Sequence, residues 1–144
     1  MAALKDDQIR SVQKSYFNIL ALFLGGDVIE SRFLRCLLKW GFQLRLTTED
    51  LKNADVDISH LSFTSIGDKV DKLEAIYHLV YMIYLDEVVE DIELEVATIY
   101  AGKLGFKAGI VAELFKSIAT ATFDESSNRN VRQEVIDFLN LYEV

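Results

Sequence analysis

Residues 75–85 read Ala-Ile-Tyr-His-Leu-Val-Tyr-Met-Ile-Tyr-Leu, and this stretch decides the fold. It contains no Asp, Glu, Lys or Arg, so a helix built from it presents apolar side chains all round. Such a helix is stable in water when other elements surround it. We therefore expect a helix from Asp68 to Leu85 at the centre of the molecule.

The rest of the chain also favours helices. There is no proline in 144 residues, although Pro ends helices and is frequent in the turns of strand-rich proteins. Apolar residues recur at helical spacing in five further segments. These predict helices over about 9–23, 28–40, 91–104 and 108–121, and a last helix that follows candidate cap residues at 126–128 and uses apolar residues between 131 and 142. The predicted fold is all-α, a single-domain bundle of about six or seven helices spanning residues 1–144.

Residues 44–67 are the least regular stretch of the sequence. Apolar residues alternate with polar ones in part of it, but a single short strand would have no partner elsewhere in the chain. We interpret the stretch as an ordered loop anchored by apolar side chains, and its conformation stays open at this point.

Two helix ends share the pair Gly-Phe, at Gly41-Phe42 and at Gly105-Phe106. Each predicts that the helix stops at the glycine, and Phe42 is predicted to fold back on the last turn of its helix. An acidic turn precedes each of these helices, and residues 27–30 (Asp-Val-Ile-Glu) have the form of a capping box. The order helix, acidic turn, helix, Gly-Phe therefore occurs twice, which predicts a duplicated helix hairpin.

The overall composition and charge argue against several classes of function. Fifteen basic residues against 23 acidic ones give a formal net charge of −8, which argues against nucleic-acid binding because that usually rests on a basic face. The lone cysteine, Cys36, excludes an internal disulfide and a CxxC motif. The N-terminal residues lack the basic-then-apolar order of a signal peptide, and the longest nearly uncharged run is too short to span a bilayer. We expect a cytoplasmic protein that is not an integral membrane protein.

One acidic cluster is a candidate metal site. Six carboxylates fall within ten positions: Asp86, Glu87, Glu90, Asp91, Glu93 and Glu95. Crowded carboxylates suit hard cations such as Ca²⁺ or Mg²⁺. The alternative is structural, because acidic residues at a helix start complement the macrodipole, and Glu93 can accept a hydrogen bond from the backbone of residue 90. The candidate ligands are Asp86, Glu90, Asp91 and Glu93, and both interpretations stay open.

Residues 86–93 (Asp-Glu-Val-Val-Glu-Asp-Ile-Glu), between an apolar helix and a helix ending in Leu-Gly-Phe, resemble the signature of the TerB-like domain, a family named for a tellurite-resistance protein. The resemblance covers about residues 9–123, and by position only Asp86 and Glu93 match the motif. It implies an all-helical bundle with internal pseudo-symmetry and a stress-associated role. It also implies divalent-cation binding through acidic residues, with no established enzymatic reaction. The family's Gly after the Asp is Glu87 in this chain, which weakens the metal inference more than the fold inference.

Candidates for catalysis are few. Cys36 lies beside two leucines, where a buried, inert thiol is the expected state. His78 lies among apolar neighbours and is expected to be a core histidine. Tyr77, Tyr81 and Tyr84 share one helical face, which is typical of a core but could also line a pocket or a partner surface. We expect no catalytic residues and no enzyme, with a metal-assisted hydrolase as the least favoured reading.

Two functional hypotheses follow. The first is a non-enzymatic, TerB-like interaction or stress-response module, tuned by a divalent cation at the acidic cluster. The second is a metal-free module that binds an unknown protein partner or a second copy of itself, suggested by the high aromatic content.

Overall fold

The computed structural model describes residues 6–24, 30–44, 46, 63, 67–86, 88–121 and 131–141, and within these ranges the regular structure is entirely helical. The six helices are α1 (Asp6–Leu24), α2 (Ser31–Gln43), α3 (Lys69–Leu85), α4 (Asp91–Lys103), α5 (Ile110–Ala121) and α6 (Val131–Leu141). The all-α prediction is confirmed. Nearly all of the predicted loop over residues 44–67 lies outside the described residues.

The Cα positions divide the chain into two compact units, Leu4–Thr64 and Ser65–Val144 together with Met1–Ala3. We call them the N-terminal unit, which holds α1 and α2, and the C-terminal unit, which holds α3 to α6. A single domain over residues 1–144 and a duplicated hairpin stay predictions.

Helix α3 is the centre of the C-terminal unit, as its composition predicts. It contacts α4, α5 and α6, and α4 also contacts α5. Its side chains are buried on all sides over most of its length, at Leu73, Ala75, Ile76, Tyr77, His78, Leu79, Val80, Met82 and Ile83. The driving force is the removal of this apolar surface from water, at about 25 cal/mol per Å².

Local sequence signals define the start of α3 and the end of α4. Asp68 caps α3 through a capping box, since its Oδ1 accepts from the Asp71 backbone N–H at 2.9 Å and its own N–H donates to Asp71 Oδ2 at 3.3 Å. Gly105, at φ +98°, ends α4, and the Phe106 N–H returns to the Ala101 carbonyl at 3.0 Å. Phe106 is buried. The predicted glycine stop is confirmed at this helix end, and Phe106 folds back on the last turn.

The N-terminal unit is built on the contact between α1 and α2. The apolar stripe predicted for α1 faces inward at Val12, Tyr16 and Ile19, and Phe23 lies against Phe33 of α2 with ring centroids 5.1 Å apart. From α2, Trp40 is fully buried.

Two predictions for α2 are wrong. The helix continues to Gln43, so Gly41 lies within it and caps nothing, and Phe42 is 82% exposed rather than folded back. The reason for Gly41 is a close approach: a Cβ there would lie 2.8 Å from the Tyr16 hydroxyl oxygen. Glu30 has extended backbone and is itself the N-cap, so it does not occupy the third helical position of the predicted capping box.

The apolar side chains of α2 do not all face the core. Phe33, Leu34, Leu37 and Leu38 recur at helical spacing along this helix. The structure buries Leu37 but leaves Leu34 and Leu38 41% and 54% exposed. Helix α2 is apolar on two faces, and only one of them enters the core.

Candidate functional site

The acidic cluster lies at the turn between α3 and α4. Asp86 is the C-cap of α3, and its backbone N–H donates to the Ile83 carbonyl at 3.2 Å. Its Oδ2 atom is shielded from solvent. Glu90 is the N-cap of α4 and Asp91 is its first residue, and both side chains are exposed. Glu87 lies outside the described residues.

Glu93 takes the structural role that the sequence offered as the alternative to metal binding. It is fully buried in the first turn of α4, and its Oε1 accepts a hydrogen bond from the Glu90 N–H at 3.2 Å. The Glu93 N–H in turn donates to the Glu90 carbonyl at 3.0 Å. The predicted hydrogen bond from residue 90 to Glu93 is confirmed.

This arrangement separates the four candidate ligands. Glu93 lies buried against the backbone, while Glu90 and Asp91 lie in solvent. Among the residues that the structure describes, no group of three or more His, Cys, Asp or Glu side chains is placed to hold a metal ion. A cation at Asp86, Glu90, Asp91 and Glu93 stays a prediction, and the buried cap would restrict the ligand set to the other three.

The tyrosine face of α3 serves packing between helices. Tyr77 is buried and donates a hydrogen bond from its hydroxyl to Glu134 Oε2 on α6, at 2.6 Å. Tyr81 stacks on Tyr77 with a ring separation of 6.3 Å. Tyr84 meets Phe115 of α5 edge to face at 5.7 Å. The expected core role is confirmed for Tyr77, while Tyr81 and Tyr84 are half-buried. The partner of the Tyr77 hydroxyl could not be predicted because it comes from a distant segment of the chain.

The two candidate nucleophile and base residues are both buried, as expected. Cys36 is a free thiol and is 1% exposed, and His78 is 6% exposed. Cys36 lies in the N-terminal unit and His78 in the C-terminal unit.

A row of exposed apolar side chains is the feature that sequence reasoning missed. Leu34, Leu38 and Phe42 are 41%, 54% and 82% exposed, and they follow one another at four-residue spacing along α2. Residues four apart lie on the same side of a helix. We call these three residues the outer row. The available signal was the run of apolar residues on both sides of α2, because a helix that packs against one neighbour needs only one apolar stripe.

Comparison of the chain with protein-family models, with curated proteins and with solved structures returned no match. None of the helices in the described part of the chain combines the length and apolar character needed to cross a membrane.

Proposed function

We propose that this chain is a non-enzymatic helical module that binds another protein. The observation that carries the proposal is the outer row of α2, in which Leu34, Leu38 and Phe42 project into solvent from one side of a helix. Single exposed apolar residues are normal, but a contiguous apolar patch marks an interaction surface. Covering such a row with a partner returns hydrophobic free energy that the isolated chain does not gain.

The burial of the reactive side chains supports the non-enzymatic part of the proposal. A nucleophile must reach its substrate, whereas Cys36 is 1% exposed within a helix. We include in this proposal the stress-associated role that the TerB-like resemblance implies. Its support is the sequence of the turn from Asp86 to Glu93.

The test uses an apolar fluorescent dye on the folded protein. Wild type should enhance its fluorescence, and the double variant Leu38→Ser/Phe42→Ser should lose most of that enhancement. Leu141→Ser is the matched control, because Leu141 is 80% exposed on α6 and Phe42 is 82% exposed on α2. A wild type that binds no dye and stays monomeric in light scattering would contradict the proposal.

A divalent cation at the acidic turn is the second proposal, supported by the placement of Asp86, Glu90 and Asp91 at one turn. The test is thermal unfolding with and without millimolar Ca²⁺ or Mg²⁺, on wild type and on Asp86→Asn/Asp91→Asn, which leaves the Glu93 cap in place. A cation at 100 times its dissociation constant adds about 2.7 kcal/mol to stability. A rise in melting temperature that is lost in the variant would support a site, and equal melting with and without cations would rule one out.

A further inference from the structure

Resting on the proposed function, we infer the class of the partner: the outer row of α2 binds an amphipathic helix whose polar side is acidic. The inference begins with the geometry of α2. The first and last of its three outer side chains are eight positions apart, or about 12 Å along the helix. At 100° per residue, Cys36, Leu37, Trp40 and Leu44 lie on the opposite side, and all four are buried. The inner face is thus covered by the fold, while the outer row lies in solvent.

The charges of α2 are the second step. Residues 31–43 contain three basic side chains and no acidic one, in a chain with 23 acidic and 15 basic residues. Helical rotation places Arg32, Arg35 and Lys39 along one edge of the outer row. We call these three the basic edge. Helix α2 is therefore basic, whereas the chain as a whole is acidic.

Within the basic edge, Arg35 is the cation next to the outer row. Arg32 is held by Glu30 at 2.7 Å, and its guanidinium lies 4.4 Å from the centre of the Phe33 ring. Arg35 is exposed, and helical rotation puts it beside Phe42 and Leu38. An apolar row with cations along one edge complements a helix that carries an apolar stripe and an acidic edge.

Two other occupants fit this face less well. A second copy of α2, packed antiparallel about a twofold axis, would set one basic edge against the other, and like charges repel. An anionic membrane would attract the basic edge, but it is a wide anionic plane and would also face acidic parts of a chain whose net charge is −8. A single helix is narrow enough to lie against α2 alone. An acidic helix satisfies the apolar row and the basic edge together.

The probe is a synthetic peptide of about 18 residues, or five helical turns, with leucines at three- and four-residue spacing and glutamates elsewhere. Its binding to the full chain is measured by fluorescence anisotropy. We expect binding that weakens as salt is added, because exposed charges are screened. Leu38→Ser should weaken binding about tenfold, because it removes apolar surface that the bound helix would bury. Leu141→Ser should leave binding unchanged.

Arg35→Glu tests the electrostatic step separately. It should weaken binding of the acidic peptide severalfold and make that binding less dependent on salt. Arg10→Glu, which replaces an exposed arginine on α1, should change neither. Circular dichroism and thermal melting establish that each variant is folded. A peptide with lysine in place of every glutamate should bind more weakly to wild type and more tightly to Arg35→Glu.

Several results would overturn the inference. These are equal binding of the acidic and basic peptides, binding of phosphatidylserine vesicles but not of the peptide, or a dimer in light scattering that Leu38→Ser dissociates. None of these results depends on the dye. Equal peptide binding or a dimer would leave protein binding in place and change only the partner class, whereas vesicle binding without peptide binding would also count against the proposed function. If wild type binds neither the dye nor the peptide, both the proposed function and the inferred partner class are wrong.

Discussion

The Tyr16 hydroxyl donates a hydrogen bond of 2.7 Å to the backbone carbonyl of Leu37, and the two atoms are buried where α1 meets α2. The phenol reaches this carbonyl by passing over Gly41, one turn further along α2. An ideal Cβ at Gly41 would lie 2.8 Å from the Tyr16 hydroxyl oxygen and 3.6 Å from the ring carbon that bears it. The absence of a side chain at residue 41 therefore allows the contact.

Gly41→Ala should lower the stability of wild type but raise the stability of the Tyr16→Phe protein. In wild type the new methyl group meets the Tyr16 hydroxyl, and overpacking of a buried site costs about 1–3 kcal/mol. In Tyr16→Phe the hydroxyl is gone and the nearest atom lies at ordinary contact distance. Alanine should then stabilise α2 by about 1 kcal/mol through its better helix propensity. Chemical denaturation of the four proteins measures both effects. The same sign of change in the two backgrounds would contradict the contact.

The stability of the N-terminal unit should fall in alkali because of Tyr16. Burial raises the pKa of the Tyr16 phenol above its ordinary value, with a smaller contribution from Cys36. A group whose pKa is higher in the folded state stabilises the fold below its unfolded pKa, and the stabilisation is lost as pH rises beyond that value. We therefore expect the free energy of unfolding to fall above about pH 10.

Tyr16→Phe should remove part of this alkaline loss. The measurement is urea denaturation at several pH values on each side of the ordinary tyrosine pKa. Tyr81→Phe is the control, because it removes the same hydroxyl from a half-buried ring on α3. Equal slopes of stability against pH in wild type and Tyr16→Phe would show that another group causes the loss.

Glu93 should tolerate amide replacement better than truncation. Glu93→Gln keeps an oxygen that can accept from the Glu90 N–H, as Gln does in a capping box. Glu93→Ala removes the acceptor, and loss of a cap costs about 0.5–2 kcal/mol. It also leaves a cavity, because Glu93 is fully buried. Thermal melting of the two variants should rank alanine well below glutamine. Equal melting of both would show that the cap contributes little.

The features predicted from the sequence are those that depend on near neighbours along the chain. The Gly105 cap closes through Ala101 and Gly102, and the Glu93 bond returns to Glu90, three residues back. Helix α3 was placed at the centre because its composition requires burial all round. In each case the residues that decide the structure lie within one helix or one turn.

The features that could not be predicted depend on distant segments. The pair Gly41-Phe42 has the same letters as Gly105-Phe106, but the Tyr16 phenol makes Gly41 a packing position within α2. Leu34 and Leu37 are equally apolar, so periodicity cannot choose which of the two faces the core. The outer row of α2, which carries the proposed function, can be identified only from a structure that shows which side of α2 packs against the core.

The ion pair between α6 and the start of α3 should depend on pH through Asp71. Arg132 Nη1 lies 2.9 Å from Asp71 Oδ1 and 3.0 Å from Glu74 Oε2. The hydrogen bond from Arg132, with a further one from the Asp68 backbone, holds the pKa of Asp71 below its ordinary value. A group with a depressed pKa stabilises the fold above its unfolded pKa, and this contribution is lost as pH falls through the folded value.

Arg132→Gln should therefore raise the NMR titration midpoint of the Asp71 carboxyl towards the ordinary value of an aspartate. The stability difference between wild type and variant should be present at neutral pH and should vanish in acid, once Asp71 is protonated in both proteins. Added salt should also reduce the difference, since Asp71 and Arg132 are 41% and 50% exposed. Arg10→Gln, which removes an exposed arginine from α1, is the control. An unchanged Asp71 midpoint in Arg132→Gln would show that the capping hydrogen bond from Asp68 alone depresses it.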